Sequence, residues 1–585
     1  MPRRTNNPPT SRWQAYLERQ RFRLSNSDAL LVLSLLGAVT GLLAGLVIIG
    51  FRGLVEGMET LLLPGGQPEN FEALPPLARL ALAVTGAFLI GLYLRFLAGG
   101  DQRTGVAYVM ERTAYHQGRL PLRNAVTQFV AGGAAIISGQ SVGREGPSVH
   151  LGAAAGSQLG QLLAMPNNSM RTLVACGTAA AIGASFNTPL AGVAFAMEVV
   201  VMEYTIAGFL PVILAAVSAT ALTQAVYGAD PAFTIPALQI RGLIEIPHVI
   251  VTGVVLGAVA AAFNRALTWS SHRLVDRSIV LRTTLGGLVV GVVALAVPEV
   301  MGVGYDTVAA ALRGELGLGL LLAIVVAKLV ATASVLGLGV PGGLIGPTLV
   351  IGAAAGGALG IVAAALTPAP IAGPAFYALI GMGAMMSASL RAPLAALTAM
   401  LELTANPNVI LPGMLAIVAA TVTTSEVFRT DSIFLAWLRE KGLDPRRNPL
   451  LQAFSRLGIV RLMDRRLTVL PRRLERSALL EALDEEPRWL LLEETSERPV
   501  ALVPVADVLS YLEENPREQE IDLLAIPAQR LQPAAVEIRA SLREALEVLR
   551  RERAEALYVV QTNAPGRRRY YGVLTRRDIE REYFG

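Results

Sequence analysis

The stretch GREGPSVHLGAAAG, residues 143–156, places Arg144 and Glu145 between two glycines and just ahead of Pro147, in a chain that otherwise reads as apolar helix. A carboxylate at membrane depth is costly unless it finds partners, and intramembrane ionisable residues mark functional sites by default. A second stretch answers the first. GREGPSVHLGAAAGSQLG (143–160) sets on GLIGPTLVIGAAAGGALG (343–360) without a gap, matching both flanking glycines, the proline, GAAAG and the final Leu-Gly. Downstream, GTAAAIGASFNTPLAGVAFAME (177–198) lies on GMGAMMSASLRAPLAALTAMLE (381–402), pairing Pro189 with Pro393 and Glu198 with Glu402. The chain therefore carries a duplicated unit, and Glu145 stands where the second copy has Ile345.

Composition places this unit in a bilayer. The 585 residues have a mean hydropathy of +0.50, are 53% hydrophobic and only 16% charged. Soluble domains carry about 25% charged residues. A membrane span needs about 20 apolar residues. Residues 29–51, 77–98, 206–227, 248–268, 283–298, 318–336 and 408–425 meet this description, whereas 123–203 and 342–404 are broken by Gly, Pro and polar residues. Backbone of that kind is tolerated at membrane depth only when buried in protein or lining a wet cavity. In secondary transporters, interrupted segments at equivalent places in two repeats point to the binding site. Proline favours the first helical position, so Pro147 and Pro347 are each expected to start a helix. The unpaired amides of the two helix starts would then form an anion site.

Basic stretches at the two ends (PRRTNN, RQRFR, PRRNP, PRRLER) predict cytoplasmic termini, an even number of spans and a multi-pass protein of the cell (inner) membrane. They are short and poor in aromatics, which argues against a nucleic-acid partner. No secretory signal is expected. Cys176 alone allows neither an internal disulfide nor a cysteine metal site, and no metal is expected. An intramembrane hydrolase built on Ser148 and His150 is disfavoured, because residues two apart at a helix start point to different faces. A nutrient sensor reading ligands through the tail predicts tail binding without ion flux.

GREGP (143–147), GGLIGP (342–347) and SFNTPLAGVAFAME (185–198) resemble the signature segments of the CLC chloride channel and transporter family, over about residues 28–440. The resemblance implies an all-α polytopic membrane domain of inverted repeats (about 28–230 and 245–440) with tilted, broken helices. It implies a homodimer in the lipid bilayer, each subunit holding its own pathway for chloride or a related small anion. It also implies that Glu145 is the gating glutamate, competing with the anion and leaving when protonated. Gly143, Arg144, Glu145 and Gly146 would supply outer amides, and Leu344 and Ile345 the amides of the central site.

Three positions depart from the family pattern. GGDQRTGV puts Asp101 where the family has an anion-facing serine, leaving Thr104 as a substitute hydroxyl. Phe434 replaces the inner tyrosine and lacks its donor. Val199 stands at the internal proton-relay glutamate, so that Glu198 or Glu203 would have to carry protons; the match of Glu198 to Glu402 favours a structural role for Glu198. Halide selection is thus weakened on this reading. The expected function is Glu145-gated anion transport with proton-coupled exchange, the alternatives being an uncoupled channel or selectivity for bicarbonate, nitrate or fluoride.

After residues 1–27, the membrane domain 28–440 and a linker at 441–455, residues 456–585 alternate β-like runs with amphipathic helices and resemble a cytoplasmic α/β pair of CBS modules. GVLTRRD, near the C-terminus, would put Thr575 and Asp578 on an adenine nucleotide, whereas the first module has Pro504 in place of the threonine. Dimer stabilisation is the alternative role.

Overall fold

The structure is a computed structural model and describes residues 30–96, 103–233, 238–368, 370–444, 454, 457–495, 498–564 and 567–584. Leu30–Leu163 and Met170–Asp444 make one compact helical unit. Among the described residues, eight helices are long and apolar enough to cross a membrane by length and composition. Seven of them cover the seven apolar runs named above. The eighth, Ile345–Leu366, lies in a region read as broken. It is a continuous 22-residue helix because its proline falls in the first turn, where no intrahelical N–H bond is lost.

The first repeat runs α1 (Leu30–Leu62), α2 (Pro76–Phe96), α3 (Gly105–Tyr115), α4 (Leu122–Ile137), α5 (Glu145–Leu162), α6 (Asn167–Phe186), α7 (Pro189–Phe195) and α8 (Ile206–Tyr227). The second runs α9 (Ile246–Arg273), α10 (Ile279–Ala296), α11 (Tyr305–Arg313), α12 (Leu318–Gly337), α13 (Ile345–Leu366), α14 (Pro374–Leu390), α15 (Pro393–Thr404), α16 (Ile410–Val422) and α17 (Ile433–Glu440). α5 and α13 start at Glu145 and Ile345, two residues before the prolines expected to start them. The difference matters, because it puts the glutamate itself at the helix start.

The repeated GAAAG is explained by contact between backbones. A Cβ added to Gly152 would overlap the Gly177 carbonyl of α6, and one added to Gly352 would overlap the Gly381 carbonyl of α14. Small residues let membrane helices approach this closely where the hydrophobic effect does not drive them together. α5 and α13 are accordingly buried along most of their length.

Glu198 and Glu402 link the two copies reciprocally. The Glu402 carboxylate accepts the amides of Leu190 (2.9 Å) and Ala191 (2.8 Å) at the start of α7. The Glu198 carboxylate accepts those of Leu394 (3.3 Å) and Ala395 (2.9 Å) at the start of α15. Each helix start has orphan amides and partial positive charge, and a carboxylate from the other repeat supplies both acceptors. Glu198 follows α7 in a π-helical turn, Ala196–Val201, closed by Met202 in left-handed conformation. Glutamine at either position keeps one acceptor and loses a charge-assisted bond, so Glu198→Gln and Glu402→Gln should each cost about 2 kcal/mol in detergent-solubilised unfolding and leave the pH dependence of flux the same as in the parent protein. A selective loss of proton flux in Glu198→Gln with unchanged stability would instead make Glu198 a relay.

The tail repeats one topology. β1 (Leu467–Pro471), β2 (Arg473–Glu475), α18 (Arg476–Leu483), β3 (Trp489–Thr495), β4 (Arg498–Pro504) and α19 (Val505–Glu514) are followed by β5 (Glu520–Asp522), β6 (Pro533–Glu537), α20 (Leu542–Arg551), β7 (Ala556–Ala564), β8 (Arg567–Thr575) and α21 (Arg576–Phe584). In the sheet β1-β3-β4, β1 runs parallel to β3 and β4 antiparallel to it; in β6-β7-β8, β6 runs parallel to β7 and β8 antiparallel to it. Leu490, Leu492, Val503 and Val508 are buried in the first module's core, and Leu542, Leu557, Val559 and Leu574 in the second's.

Candidate functional site

The two matched glycine stretches meet. Gly143 and Gly343 form an antiparallel bridge, the Gly143 amide donating to the Gly343 carbonyl (2.8 Å) and the Gly343 amide to the Gly143 carbonyl (2.7 Å). A Cβ at Gly146 would overlap the Gly342 carbonyl, so α5 and α13 begin in backbone contact. A side chain at these glycines would fill the space where the helix starts converge.

Glu145 fills it. Its side chain is 1% exposed, and Oε1 accepts the Gly346 amide of α13 at 2.5 Å. Oε2 lies over Gly143 and Gly343, where an added Cβ would overlap it, and has no hydrogen-bond partner among the described residues. A carboxylate of the first repeat is thus a ligand of the helix start of the second. Gly143, Arg144, Glu145, Gly146, Leu344 and Ile345 all fall at this junction, and Leu344 and Ile345 are buried.

Thr104 is half-buried and immediately precedes α3; its hydroxyl makes no capping bond. The next residue ties this segment to the glutamate's own helix, the Gly105 amide donating to His150 Nδ1 of α5 at 3.1 Å. Asp101 lies outside the described residues. Phe434 is buried on α17 with its ring edge-on to Trp437. Val199 is buried in the π turn, and the Glu203 amide donates to the Met197 carbonyl (2.9 Å). Glu198, considered above as a proton carrier, is committed to the α15 amides. Ser148 and His150 have separate engagements: the Ser148 hydroxyl donates to the Arg144 carbonyl (2.8 Å), and Ser185 donates to Ser148 (2.9 Å).

In the tail, Thr575 and Asp578 hold each other rather than standing open. The Thr575 hydroxyl (2.6 Å) and amide (2.9 Å) both donate to Asp578 Oδ2, an N-terminal cap on α21. Pro504 occupies the equivalent start of α19.

Two parts of the surroundings went unnoticed in the sequence. Lys328, in the middle of α12, is fully buried and donates to the carbonyls of Val300 and Gly302, both at 3.0 Å. A lone lysine in LLLAIVVAKLVATASVLG is itself a signal. Arg144 places its guanidinium over the rings of Phe186 (4.9 Å) and Tyr305 (5.1 Å), with Glu56 3.7 Å away. Cation–π contact stabilises a partly desolvated arginine beside the helix starts.

A family profile described as voltage gated chloride channel matches residues 85–425, more than half of the chain. The chain belongs to the CLC voltage gated chloride channel family. A ClcB-like protein of Ralstonia nicotianae is 34% identical over 399 residues, 66% of this chain and 92% of that protein. The H(+)/Cl(-) exchange transporter ClcA of Vibrio cholerae is 31% identical over 304 residues, 50% of this chain and 65% of its own. The crystal structure of a eukaryotic CLC transporter aligns with a TM-score of 0.60 at 18% identity, covering 94% of this chain and 98% of that one, so the likeness in fold extends into the tail. These CLC relatives are transporters and channels rather than enzymes, and the helix junction at Gly143 and Gly343 lies within the matched region.

Proposed function

We propose that this CLC protein moves chloride or a chemically similar anion across the membrane, coupled to protons through Glu145. The observation that carries the reading is the Glu145 carboxylate lying among Gly143, Gly343 and Gly346 with the Gly346 amide bound to it. A carboxylate and a halide are alternative ligands for one amide cradle, so binding of either expels the other. Protonation removes the charge that holds the side chain there, and each departure of Glu145 therefore links a proton to an anion. Exchange activity in the relative from Vibrio cholerae supports this reading.

A second reading, uncoupled conduction, is favoured by one observation: Val199 holds a buried, non-titrating position where coupled members carry a glutamate. The deciding experiment reconstitutes the purified protein in liposomes and records anion and proton fluxes together under chloride, bicarbonate, nitrate and fluoride gradients. Coupled exchange predicts that an anion gradient drives protons uphill. Anion flux with protons moving only down their own gradient would select the channel reading, and no flux of any anion would refute both.

The protein on this reading is a homodimer in the cell membrane with both termini cytoplasmic. Leu190 and Leu394, at the starts of α7 and α15, are exposed on the single chain and offer an apolar face for a second copy. The two tail sheets of identical topology support a CBS pair. The mutual bonding of Thr575 and Asp578 supports a stabilising role for that pair over an adenine-nucleotide site.

A further inference from the structure

Beside the glutamate's helix start lies a cavity of about 230 Å³ whose charged lining is Arg52, Glu56, Glu59, Glu69, Arg144 and Asp306. Its charges are odd for the approach to an anion site, since four carboxylates face two guanidinium groups. Glu56 is the compensated one, with Arg52 at 2.6 Å and Arg144 at 3.7 Å. The other three form a gradient of depth. Asp306 is exposed, Glu69 half-buried, and Glu59 only 2% exposed. Glu69 is held in place by the Tyr305 amide (3.1 Å) and interacts electrostatically with both Glu59 and Asp306. Glu59 Oε1 is buried and has no hydrogen-bond partner among the described residues.

Nothing in the amide cradle requires these acids, and anion entry is hindered by them. A negative low-dielectric wall instead concentrates hydronium, and a cavity of this size with polar partners has room for several water molecules. Arg144 and Ser148, which line it, flank Glu145 in the chain, and Arg144 interacts with Glu56, Glu69 and Glu145 together. We propose that this cavity is the proton-loading port of Glu145, with Asp306, Glu69 and Glu59 passing protons inward from the membrane face that carries the α1–α2 loop. In each transfer an O–H bond breaks on a protonated Glu59, the proton crosses cavity water beside Arg144 and Ser148, a new O–H bond forms on the Glu145 carboxylate, and the negative charge moves to Glu59. Glu59 is recharged through Glu69 from hydronium at the Asp306 mouth, through cavity water. Burial lifts the Glu69 carboxyl above the ordinary carboxylate range, with Asp306 adding to the effect and Arg144, the Tyr305 amide and Lys328 opposing it, which suits a group that must hold and release a proton. The other charged groups facing the ladder are Arg52 and Glu56 on α1, and Glu72 and Glu299 in the short turns beside Lys328.

The inference rests on the reading of Glu145 as the displaced carboxylate. Its test is proton flux in liposomes as the pH on the α1–α2 loop side is varied. Glu59→Gln removes the donor that loads Glu145, so a higher proton activity at the port is needed to protonate it. The pH of half-maximal proton flux should therefore move about one unit toward acid, a tenfold change in proton activity. In the Glu145→Gln background, which has no carboxyl to load, proton flux should be absent and anion flux should be equally insensitive to pH with and without Glu59→Gln. Glu69→Gln, on a loop, should show the same sign and decides the matter if Glu59→Gln does not fold. A midpoint within about 0.3 unit of the parent's, or a rate reduced equally at every pH, would overturn the port while leaving the anion–proton reading intact. A parent protein that moves no anion would overturn both.

Discussion

Glu145→Gln is expected to convert pH-dependent, proton-linked transport into anion flux that no longer responds to pH. On the proposed reading the carboxylate competes for the cradle because it is charged and because its hydrogen bond with the Gly346 amide is charge-assisted. Such bonds contribute about 1.5–3 kcal/mol against about 1 kcal/mol for a neutral acceptor. The difference of about 0.5–2 kcal/mol is roughly 2- to 30-fold in competition with the anion. The glutamine retains the shape and one acceptor, so the helix starts should stay in place while apparent anion affinity rises by about tenfold. Flux measured against pH in liposomes, together with anion binding by calorimetry, checks both parts. If proton flux survived at the parent rate, Glu145 would not be the coupling carboxyl.

Lys328→Met is expected to produce the largest loss of stability of any single change in the membrane unit discussed here. It leaves the Val300 and Gly302 carbonyls without their donor. Each unsatisfied buried group costs about 1–3 kcal/mol, and breaking a buried charge arrangement costs about 3–5 kcal/mol. Thermal unfolding in detergent should show a destabilisation of about 3 kcal/mol. The lysine also interacts electrostatically with Glu145, Glu69, Glu72 and Asp306. Losing this cation makes Glu145 easier to protonate, so the flux midpoint should move toward alkaline pH, opposite in sign to Glu59→Gln. Unchanged stability with an unchanged midpoint would show the ammonium to be dispensable.

The membrane spans could be read from the sequence because length and hydropathy are local quantities, set by bilayer thickness. The cradle could be read because duplication made one copy a control for the other: GLIGP shows what GREGP is without its charge. The reading went wrong where the outcome depended on backbone geometry. The preference of proline for the first helical position placed the two helix starts two residues late, because α5 and α13 each carry their proline at the third position. The acid-lined cavity was out of reach for a different reason. Glu59 lies at the end of a span, where a charge ordinarily meets water, yet in the fold it is buried, with Glu69 of the α1–α2 loop beside it. Glu69 and Asp306 are 237 positions apart in sequence, and nothing local hints that they face each other. Likewise, the pairing of Glu198 with Glu402 was visible as an alignment match, but the exchange of amides between them required the fold.

That exchange has a consequence for how the chain is made. Residue 189 leaves the ribosome more than 200 residues before Glu402, whose carboxylate is to accept the amides of Leu190 and Ala191. The first half must therefore enter the bilayer with this helix start unsatisfied, sheltered by the insertion machinery or by water, until the second half arrives. A nascent chain stopped near residue 230 should be a poor stand-alone product, open to membrane proteases. Supplying the second half as a separate polypeptide should rescue it, because the missing acceptors come from that half and not from the connection between the two.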